Sequence, residues 1–461
     1  MTDASGIDEF NVGRVRGEAT ASRDSIMGDT ALIIGGGFAG MLAARILSDF
    51  FGRVIVCERD TLANDPYPRR GVPQGSHIHG PLLGTIQILT ELFPGLPAAL
   101  KACGALTVNA GLGIRTFVGG RWLPQRDFDL SFPMQTRGLL EYAIRQQISL
   151  IPNVLTRTGS RVLGLSNCGE RITGVVVRSN DGADKTIDGD LVIDASGRGS
   201  RLRQWLASLG YGEPHVSRIN VDICYVSCLV NIPPGHPDAH IGLRVRDGSR
   251  TGVSFPVEGS QWIISLSGRF GDYPPTEVAG FVRYAEALNL EMARRLKSGE
   301  TGKLTSYHFP SSLHWHYEAM PRFPHHLLPI GDTVMCLNPV YGQGMATAAF
   351  QAKILAAELA VSRTSGLGLN GLTVKVLPRY ADALEYPWRT VALGDFELDQ
   401  TSGDRPAGLN ESARFARALA ELADTDAEVH RVSLRVQQLL DPPEILVRSG
   451  ISARVLAHLA S

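Results

Sequence analysis

A glycine-rich run, Gly-Gly-Gly-Phe-Ala-Gly, constrains the fold of this chain more than any other feature of its sequence. The apolar segment before it, residues 31–34, is typical of a short buried strand, and apolar side chains at helical spacing follow it. A second apolar segment ends directly before Glu58. Strand, glycine turn, helix and strand in this order predict a β–α–β unit and a Rossmann-like α/β domain. The glycines match the pattern G-x-G-x-x-G and are Gly35, Gly37 and Gly40.

Such a turn has a physical reason to bind a dinucleotide. Glycine permits a tight turn, and the backbone N–H groups at the start of a helix attract the negative charge of a pyrophosphate. Glu58, at the end of the second strand, is placed to accept hydrogen bonds from a ribose hydroxyl, with Arg59 beside it. The motif alone fits both NAD and FAD. The predicted contacts in the turn are Gly35, Gly37, Phe38, Ala39 and Gly40.

Two further segments make the pattern more specific. Residues 191–203 place an apolar strand before Asp-Ala-Ser-Gly-Arg-Gly-Ser-Arg-Leu-Arg, and residues 327–345 place another before Gly-Asp and a later Pro-Val-Tyr-Gly-Gln-Gly-Met. Together they resemble the flavoprotein monooxygenases of the p-hydroxybenzoate hydroxylase type. In the first segment, Ser196 stands where that family has Asp in A-D-G-x-x-S-x-x-R. Arg137, ahead of a predicted helix, matches the family's FAD-contacting arginine.

The bacterial branch that includes the flavin-dependent epoxidases of polyether biosynthesis is more similar still. Its basic run followed by Gly-Val-Pro-Gln-x-x-His-x-His is found at residues 69–79, and its Asn-Pro-x-Tyr-Gly-x-Gly-Met at residues 338–345. The resemblance covers most of the chain from residue 29 onward, although near the C-terminus only residues 386–388 match. It implies FAD as the cofactor and adds these FAD-contacting residues: Arg70, Arg137, Ser196, Gly197, Gly331, Asp332, Gly342, Gly344 and Met345.

The resemblance also implies roles for these residues. Asp332 is expected to hydrogen-bond the ribityl chain of FAD, and the turn from Pro339 to Met345 is expected beside the flavin ring, at the start of a helix. The partly positive N-terminus of that helix would stabilise the negative charge of a reduced flavin. Small residues at Gly342 and Gly344 would let the backbone approach the ring. No catalytic side chain is singled out, because the flavin carries the reaction itself.

The implied activity is that of a monooxygenase, which passes one oxygen atom from O2 to a hydrophobic natural product through a C4a-hydroperoxyflavin. Epoxidation of an alkene is the first choice because of the polyether branch, and aromatic hydroxylation is the second. A flavin-dependent reductase of isoprenoid double bonds and a non-catalytic FAD-binding protein stay open. A halogenase is expected to show W-x-W-x-I-P and a lysine near the first helix, but residues 314–317 read His-Trp-His-Tyr and no lysine precedes Lys101.

The electrons for such a reaction come from NAD(P)H or from a separate flavin reductase. In the single-component hydroxylases, the Asp that Ser196 replaces is associated with binding of both FAD and NADPH. A second G-x-G-x-x-G pattern at residues 366–371 lies in the predicted helical region without a strand before it, so it is not expected to hold a nicotinamide cofactor. We therefore predict weak NADPH binding and slow reduction of the flavin by this protein alone.

The chain is predicted to form a discontinuous flavin domain, an inserted and mostly antiparallel sheet, and a helical C-terminal region. Short β-rich runs between residues 220 and 270 predict that sheet, and Tyr225, Phe255 and Trp262 are predicted to line an apolar pocket over the flavin. Which face of the sheet points inward stays open. The predicted bounds are a flexible tail at 1–28, the FAD-binding domain at 29–82, 130–215 and 320–362, the substrate-binding region at 83–129 and 216–319, and the helical region at 363–461.

Charge and composition exclude other classes of protein. Lys+Arg 45 against Asp+Glu 46 gives a net charge of -1, which offers no basic field for nucleic acid. The six cysteines show neither C-x-x-C nor metal-ligand spacing, so no metal site is predicted. Two uncharged stretches, residues 71–90 and 333–352, are too polar and too broken to span a bilayer. With no signal peptide and no integral membrane segment predicted, a cytoplasmic protein is expected.

Overall fold

The computed structural model describes residues 26–69, 71–179 and 182–460. Of the tail predicted at 1–28, residues 1–25 lie outside the described residues, as does Arg70, and the first strand begins at Gly28. The strands are, in chain order, β1 (Gly28–Ile34), β2 (Phe51–Cys57), β3 (Leu106–Asn109), β4 (Ile114–Val118), β5 (Arg121–Trp122), β6 (Ser131–Met134), β7 (Val154–Arg157), β8 (Arg161–Cys168), β9 (Arg171–Arg178), β10 (Asp184–Asp188), β11 (Leu191–Asp194), β12 (His215–Asn231), β13 (Gly242–Asp247), β14 (Arg250–Val257), β15 (Gln261–Arg269), β16 (Thr305–His316), β17 (Leu327–Pro329), β18 (Met335–Cys336) and β19 (Ser402–Gly403). The α-helices are α1 (Phe38–Leu47), α2 (Leu83–Leu92), α3 (Leu96–Ala102), α4 (Arg137–Ser149), α5 (Leu202–Ser208), α6 (Val278–Leu288), α7 (Leu290–Ser298), α8 (Gln343–Thr364), α9 (Leu372–Asp395), α10 (Leu409–Thr425), α11 (Ala427–Gln437), α12 (Ile445–Arg448) and α13 (Ile451–Ala460).

A five-stranded parallel sheet carries the glycine turn. Its order is β17-β11-β1-β2-β7, and each neighbouring pair is parallel. Strands of this kind are apolar throughout because helices cover both faces of the sheet. Here α1, α4 and α8 contribute buried side chains to the same core as β1 and β2. The predicted Rossmann-like α/β domain is confirmed.

The second large sheet has nine strands. The order along it is β18-β16-β12-β15-β14-β13-β4-β5, with β19 pairing β12 off this path. Its strand pairs are antiparallel except for β4 with β13. The central strand β12 is 17 residues long and pairs with both β15 and β16. The predicted antiparallel sheet is thus confirmed.

The two faces of this sheet pack against different parts of the molecule. On β15, alternate residues from Trp262 to Leu266 form a core with α6 and α7. Ser265 and Ser267, at the alternate positions, face the opposite way and line a cavity. Strand alternation therefore settles which face points inward.

The C-terminal part is helical, with a break between the end of α9 and the start of α10 at residues 396–408. α8 and α9 pack into the main core, whereas α10, α11 and α13 bury a small core of their own. α8 is one helix among the described residues that is long and apolar enough to cross a membrane, yet more than half of its most apolar stretch is buried inside the protein.

Candidate active site

The first glycine turn leaves an open space at the start of α1. Gly35 has φ +97°, and a Cβ on Gly40 would lie 1.9 Å from the carbonyl oxygen of Gly35, so both positions need glycine for the turn itself. Gly37 differs, because a Cβ there would meet only Arg69 Nη2, at 3.8 Å. No side chain caps the N-terminus of α1. The turn thus presents uncapped N–H groups to space that the protein does not fill.

A buried charge cluster holds the outer side of this turn. Glu58 Oε2 accepts a hydrogen bond of 2.8 Å from the N–H of Gly36 and lies 3.1 Å from Arg69 Nη1. Arg69 also reaches Asp60 at 3.0 Å and donates to the carbonyl of Gly36. Burial lowers the pKa of Arg69, but the carboxylates of Glu58, Glu141 and Asp60 outweigh it, so this pKa is raised. Glu58 therefore lies at the turn, and its contact with a ribose stays a prediction.

For Arg69, in the basic run before Gly-Val-Pro-Gln, the sequence fits both a solvated charge and a flavin-side role, and the structure places its side chain in the buried cluster. Its neighbour Arg70, which was predicted, lies outside the described residues. Arg59 lies apart from the buried cluster: its side chain is 65% exposed and its nearest acidic partner is Asp60, at 4.0 Å.

Arg137 approaches α1 from the start of α4. The Thr136 hydroxyl caps that helix by accepting from the N–H of Leu139 at 3.2 Å. The buried Arg137 guanidinium pairs with Glu141 at 2.8 Å and lies over the ring of Phe38, 5.0 Å from its centroid. Two of the predicted contacts, Arg137 and Phe38, thus lie side by side.

The turn after β11 is organised by Asp194 rather than by Ser196. The buried Asp194 accepts hydrogen bonds from the Ser196 hydroxyl at 2.5 Å and from the Ser200 hydroxyl at 2.6 Å. Gly197 has φ +78° and donates its N–H to Thr333 Oγ1. The Ser196 hydroxyl therefore points inward to Asp194 and is already engaged.

The turn after β17 places Asp332 beside two arginines. Gly331 has φ +69°, and a Cβ on it would lie 2.6 Å from the Cβ of Ala39 in α1. Burial raises the pKa of Asp332 to about 6, against the opposing fields of Arg137 and Arg198. Gly331 and Asp332 therefore join the glycine turn and Arg137 at one edge of the sheet.

A fourth turn leads into α8. Gly342 adopts φ +67° and forms the N-cap of α8, and no side chain caps the helix. A Cβ on Gly344 would have no atom within 4 Å, and Met345, next to it, is buried. Like the first turn at Gly37, this turn combines an uncapped helix N-terminus with open space beside a glycine, here Gly344.

A buried hydrogen-bond network stabilises the turn before α8. Tyr225 donates to Asn338 Oδ1 at 2.5 Å, and Asn338 Nδ2 donates to Asp395 Oδ1 at 2.8 Å. The same carboxylate pairs with Arg269 at 2.9 Å and accepts from the Tyr341 hydroxyl at 2.9 Å. Asp395, at the end of α9, is fully buried. Sequence reasoning missed Asp395 and Arg269, because no local motif marks them.

A cavity opens between the turn before α8, the inner face of the nine-stranded sheet and the loop at residues 74–79. Tyr225 lines it, as predicted, and Phe255 lies further along the same face. The prediction for Trp262 is wrong, because alternation along β15 turns it toward α6 and α7. The surface that the lining residues present to the cavity is mostly apolar, as expected, with hydroxyl, imidazole and amide groups among the side chains. The lining residues are Gln74, His77, Ile78, His79, Tyr225, Thr251, Val253, Ser265, Ser267, Tyr307, Pro339 and Val340.

The contacts among these turns follow from the topology of the parallel sheet. β1, β11 and β17 are parallel neighbours, so their carboxyl ends meet at one edge. A Cβ on Gly35 would lie 2.8 Å from the carbonyl oxygen of Ala195, which shows how closely the first two turns approach each other. Segments far apart in sequence thus form one row of turns at this edge of the sheet, and the turn before α8 borders the cavity. We call this row of turns the groove.

Comparisons with known proteins agree with this architecture. No family model matches the chain. Protein Rv3254 of Mycobacterium tuberculosis is 29% identical over 454 residues, which cover 93% of this chain and 94% of that protein.

Three solved structures share the fold. A flavoprotein/dehydrogenase from Cytophaga hutchinsonii has a TM-score of 0.67 at 16% identity and covers 93% of this chain and 99% of its own. The flavin-dependent brominase Bmp2 has a TM-score of 0.60 at 16% identity, with 93% of each chain covered. PqsL, a probable FAD-dependent monooxygenase from Pseudomonas aeruginosa, has a TM-score of 0.57 at 17% identity, covering 88% of this chain and 98% of its own. The chain therefore has the fold of FAD-dependent monooxygenases and halogenases.

Proposed function

We propose that this protein is an FAD-dependent monooxygenase that transfers one oxygen atom from O2 to a small molecule held in the cavity. The observation that carries the proposal is the row of turns from Gly37 to Gly344, with open space at both of these glycines. It has an uncapped helix N-terminus at each end, and the cavity adjoins it beside Pro339. The adenosine diphosphate of FAD would lie at the N-terminus of α1, and the flavin ring would lie at the N-terminus of α8.

The residues present fit FAD. The open space at Gly37 and the uncapped α1 would receive the pyrophosphate, and Glu58 would lie on the ribose side. Asp332 would contact the ribityl chain, and the α8 N-terminus would lie beside the ring. Bound FAD supplies the oxidative chemistry, while the chain's own groups orient the ring and exclude water.

We propose that electrons come from a separate flavin reductase or from slow direct reduction by NAD(P)H. The Ser196 hydroxyl is engaged by Asp194, so it does not replace the carboxylate that the family places there. Anaerobic mixing of the FAD-loaded protein with NADPH tests this. Slow bleaching of the flavin is expected, and bleaching at about 1 per second or faster would contradict the proposal.

Epoxidation of an alkene follows from the resemblance to the polyether branch, and aromatic hydroxylation is the second candidate. The mostly apolar lining fits either kind of substrate, and its hydroxyl and imidazole groups could orient a polar substituent. A halogenase shares the fold, but among the described residues no lysine lines this cavity.

One experiment separates these reactions. The FAD-loaded protein is reduced photochemically and mixed with isotopically labelled O2, bromide and either a phenol or an isoprenoid alkene. Label in a hydroxylated or epoxidised product supports the proposal. A brominated product indicates a halogenase, and a saturated alkene without label indicates a reductase. Either of these would overturn the monooxygenase assignment.

A further inference from the structure

His79 lies where the groove meets the cavity. The residue is half-buried, and it lines the cavity together with Pro339 and Val340 of the turn before α8. The carbonyl oxygen of its neighbour Gly80 would lie 3.8 Å from a Cβ on Gly342, the N-cap of α8. The loop that carries His79 therefore runs beside the helix N-terminus at which the flavin ring is proposed to lie.

The charge of Arg137 places His79 close to Asp332 as well. Burial raises the pKa of Asp332 and lowers the pKa of His79, and in both cases the Arg137 guanidinium is the next largest influence. The influence of one charge on another group falls off with distance, so both side chains lie near Arg137. Asp332 is the proposed contact of the ribityl chain. His79 is thus placed near the junction of that chain with the flavin ring.

A backbone carbonyl fixes the tautomer of His79. Its Nδ1 lies 2.9 Å from the carbonyl oxygen of His77. A carbonyl oxygen can only accept a hydrogen bond, so Nδ1 carries the proton. Burial, and after it the charge of Arg137, lowers the pKa of His79 to about 3, so the ring binds no second proton near pH 7. Nε2 therefore carries a lone pair.

This lone pair is available to a bound molecule. Among the described residues, His79 Nε2 has no hydrogen-bond partner. Oxidised flavin has a single ring N–H, at N3, and this atom is bonded to the C2 carbonyl carbon. The N-terminus of α8 is the proposed partner of the C2 carbonyl. The acceptor on His79 and the donor at N3 are therefore expected at the same edge of the ring.

We propose that His79 Nε2 accepts a hydrogen bond from N3–H of the bound flavin and so positions the ring beside the N-terminus of α8. The proposal rests on the proposed FAD-dependent function and adds a side-chain contact to the ring itself. The backbone turns of the groove hold the rest of the cofactor. His79 is thus a positioning residue for the flavin ring, and it needs no change of protonation to act.

Two matched cofactors test this contact without turnover. FAD and 3-methyl-FAD differ only at the donor that His79 would use, and their affinities are measured by fluorescence titration. We expect the wild type to prefer FAD by about tenfold, as one hydrogen bond allows. His79→Ala removes the acceptor and leaves room for the methyl group, so it should bind the two cofactors equally. His79→Gln keeps an acceptor oxygen and should retain a preference for FAD.

His326 offers a matched control. Its Nδ1 also lies near a backbone carbonyl, that of Asp190, at 2.7 Å. It directly precedes β17, at the end of the parallel sheet opposite the turns. His326→Ala should therefore keep the wild-type preference for FAD.

A spectroscopic readout separates the contact from a merely structural role. A hydrogen bond from N3–H favours the protonated flavin, so His79→Ala should lower the pH at which N3 ionises, followed by flavin absorbance, relative to the wild type and to His326→Ala. Equal binding of the two cofactors by the wild type overturns the proposal. A preference for FAD that survives in His79→Ala also overturns it. A wild-type protein that binds neither cofactor would instead overturn the proposed function.

Discussion

The groove and the cavity are adjacent, yet they are built from different parts of the chain. The groove consists of backbone turns at the ends of parallel strands, where Gly35, Gly197 and Gly331 each adopt a positive φ. The cavity consists of side chains from a loop and from β12, β14, β15 and β16. Because the groove binds through backbone groups, few of its glycines can be replaced by a residue with a side chain. A cavity that uses side chains can change its ligand by substitution while the sheet stays the same.

The strongest test of this difference is Gly37→Ala. A Cβ at Gly37 meets no backbone atom of the protein, so the fold should be kept, but the Cβ occupies the space assigned to the pyrophosphate. FAD affinity, measured by fluorescence titration, should fall by at least about tenfold. Gly164→Ala on β8, where the new Cβ has no atom within 4 Å, is the matched control. Unchanged affinity in Gly37→Ala would remove the pyrophosphate from this turn.

These two regions also differ in what the sequence reveals. The groove could be predicted because each turn is a short contiguous motif and parallel topology brings the turns together. Most of the cavity could not, because lining residues such as His77, Ser265 and Tyr307 come from distant segments. Trp262 was misplaced since alternation gives two faces without saying which is inner. Asp395 lies in a helical region that carries no recognisable motif.

A second prediction concerns the network that links the two regions. Asp395→Asn should leave Arg269 as an unpaired buried charge, and breaking such a pair costs about 3–5 kcal/mol. The free energy of unfolding, measured by urea denaturation, should fall by that amount. Asp184→Asn removes the exposed partner of Arg178 and should lower the free energy of unfolding far less, because solvent screens that pair. Equal losses in both variants would show that the network does not hold the turn.

The pH dependence of the flavin-free protein gives a smaller effect. Burial raises the pKa of Asp332 from its ordinary value of 3.8 to about 6, so the folded state favours the protonated form. This contribution to stability is complete below pH 3.8 and is lost as the pH rises through about 6. Asp332→Asn should lack that loss, so the gap between variant and wild type should widen over this range. A constant gap from pH 4 to pH 7 would contradict the burial of this carboxyl.

The smallest effect is expected for Arg59, which is predicted to contact FAD yet lies exposed at the rim of the groove. Arg59→Ala should change the free energy of unfolding by less than about 0.5 kcal/mol. FAD affinity should change by less than about tenfold, since a solvated charge contributes little. A larger loss of affinity would extend the binding groove to its outer rim.

The identity of the bound cofactor tests the central claim most directly. The protein is purified, loaded with a mixture of FAD and FMN, washed and denatured, and the released flavin is identified by mass spectrometry. A groove with helix N-termini at both ends predicts FAD alone, because FMN has no adenosine diphosphate to occupy the turn at Gly37. Release of FMN alone, or of no flavin, would contradict the account.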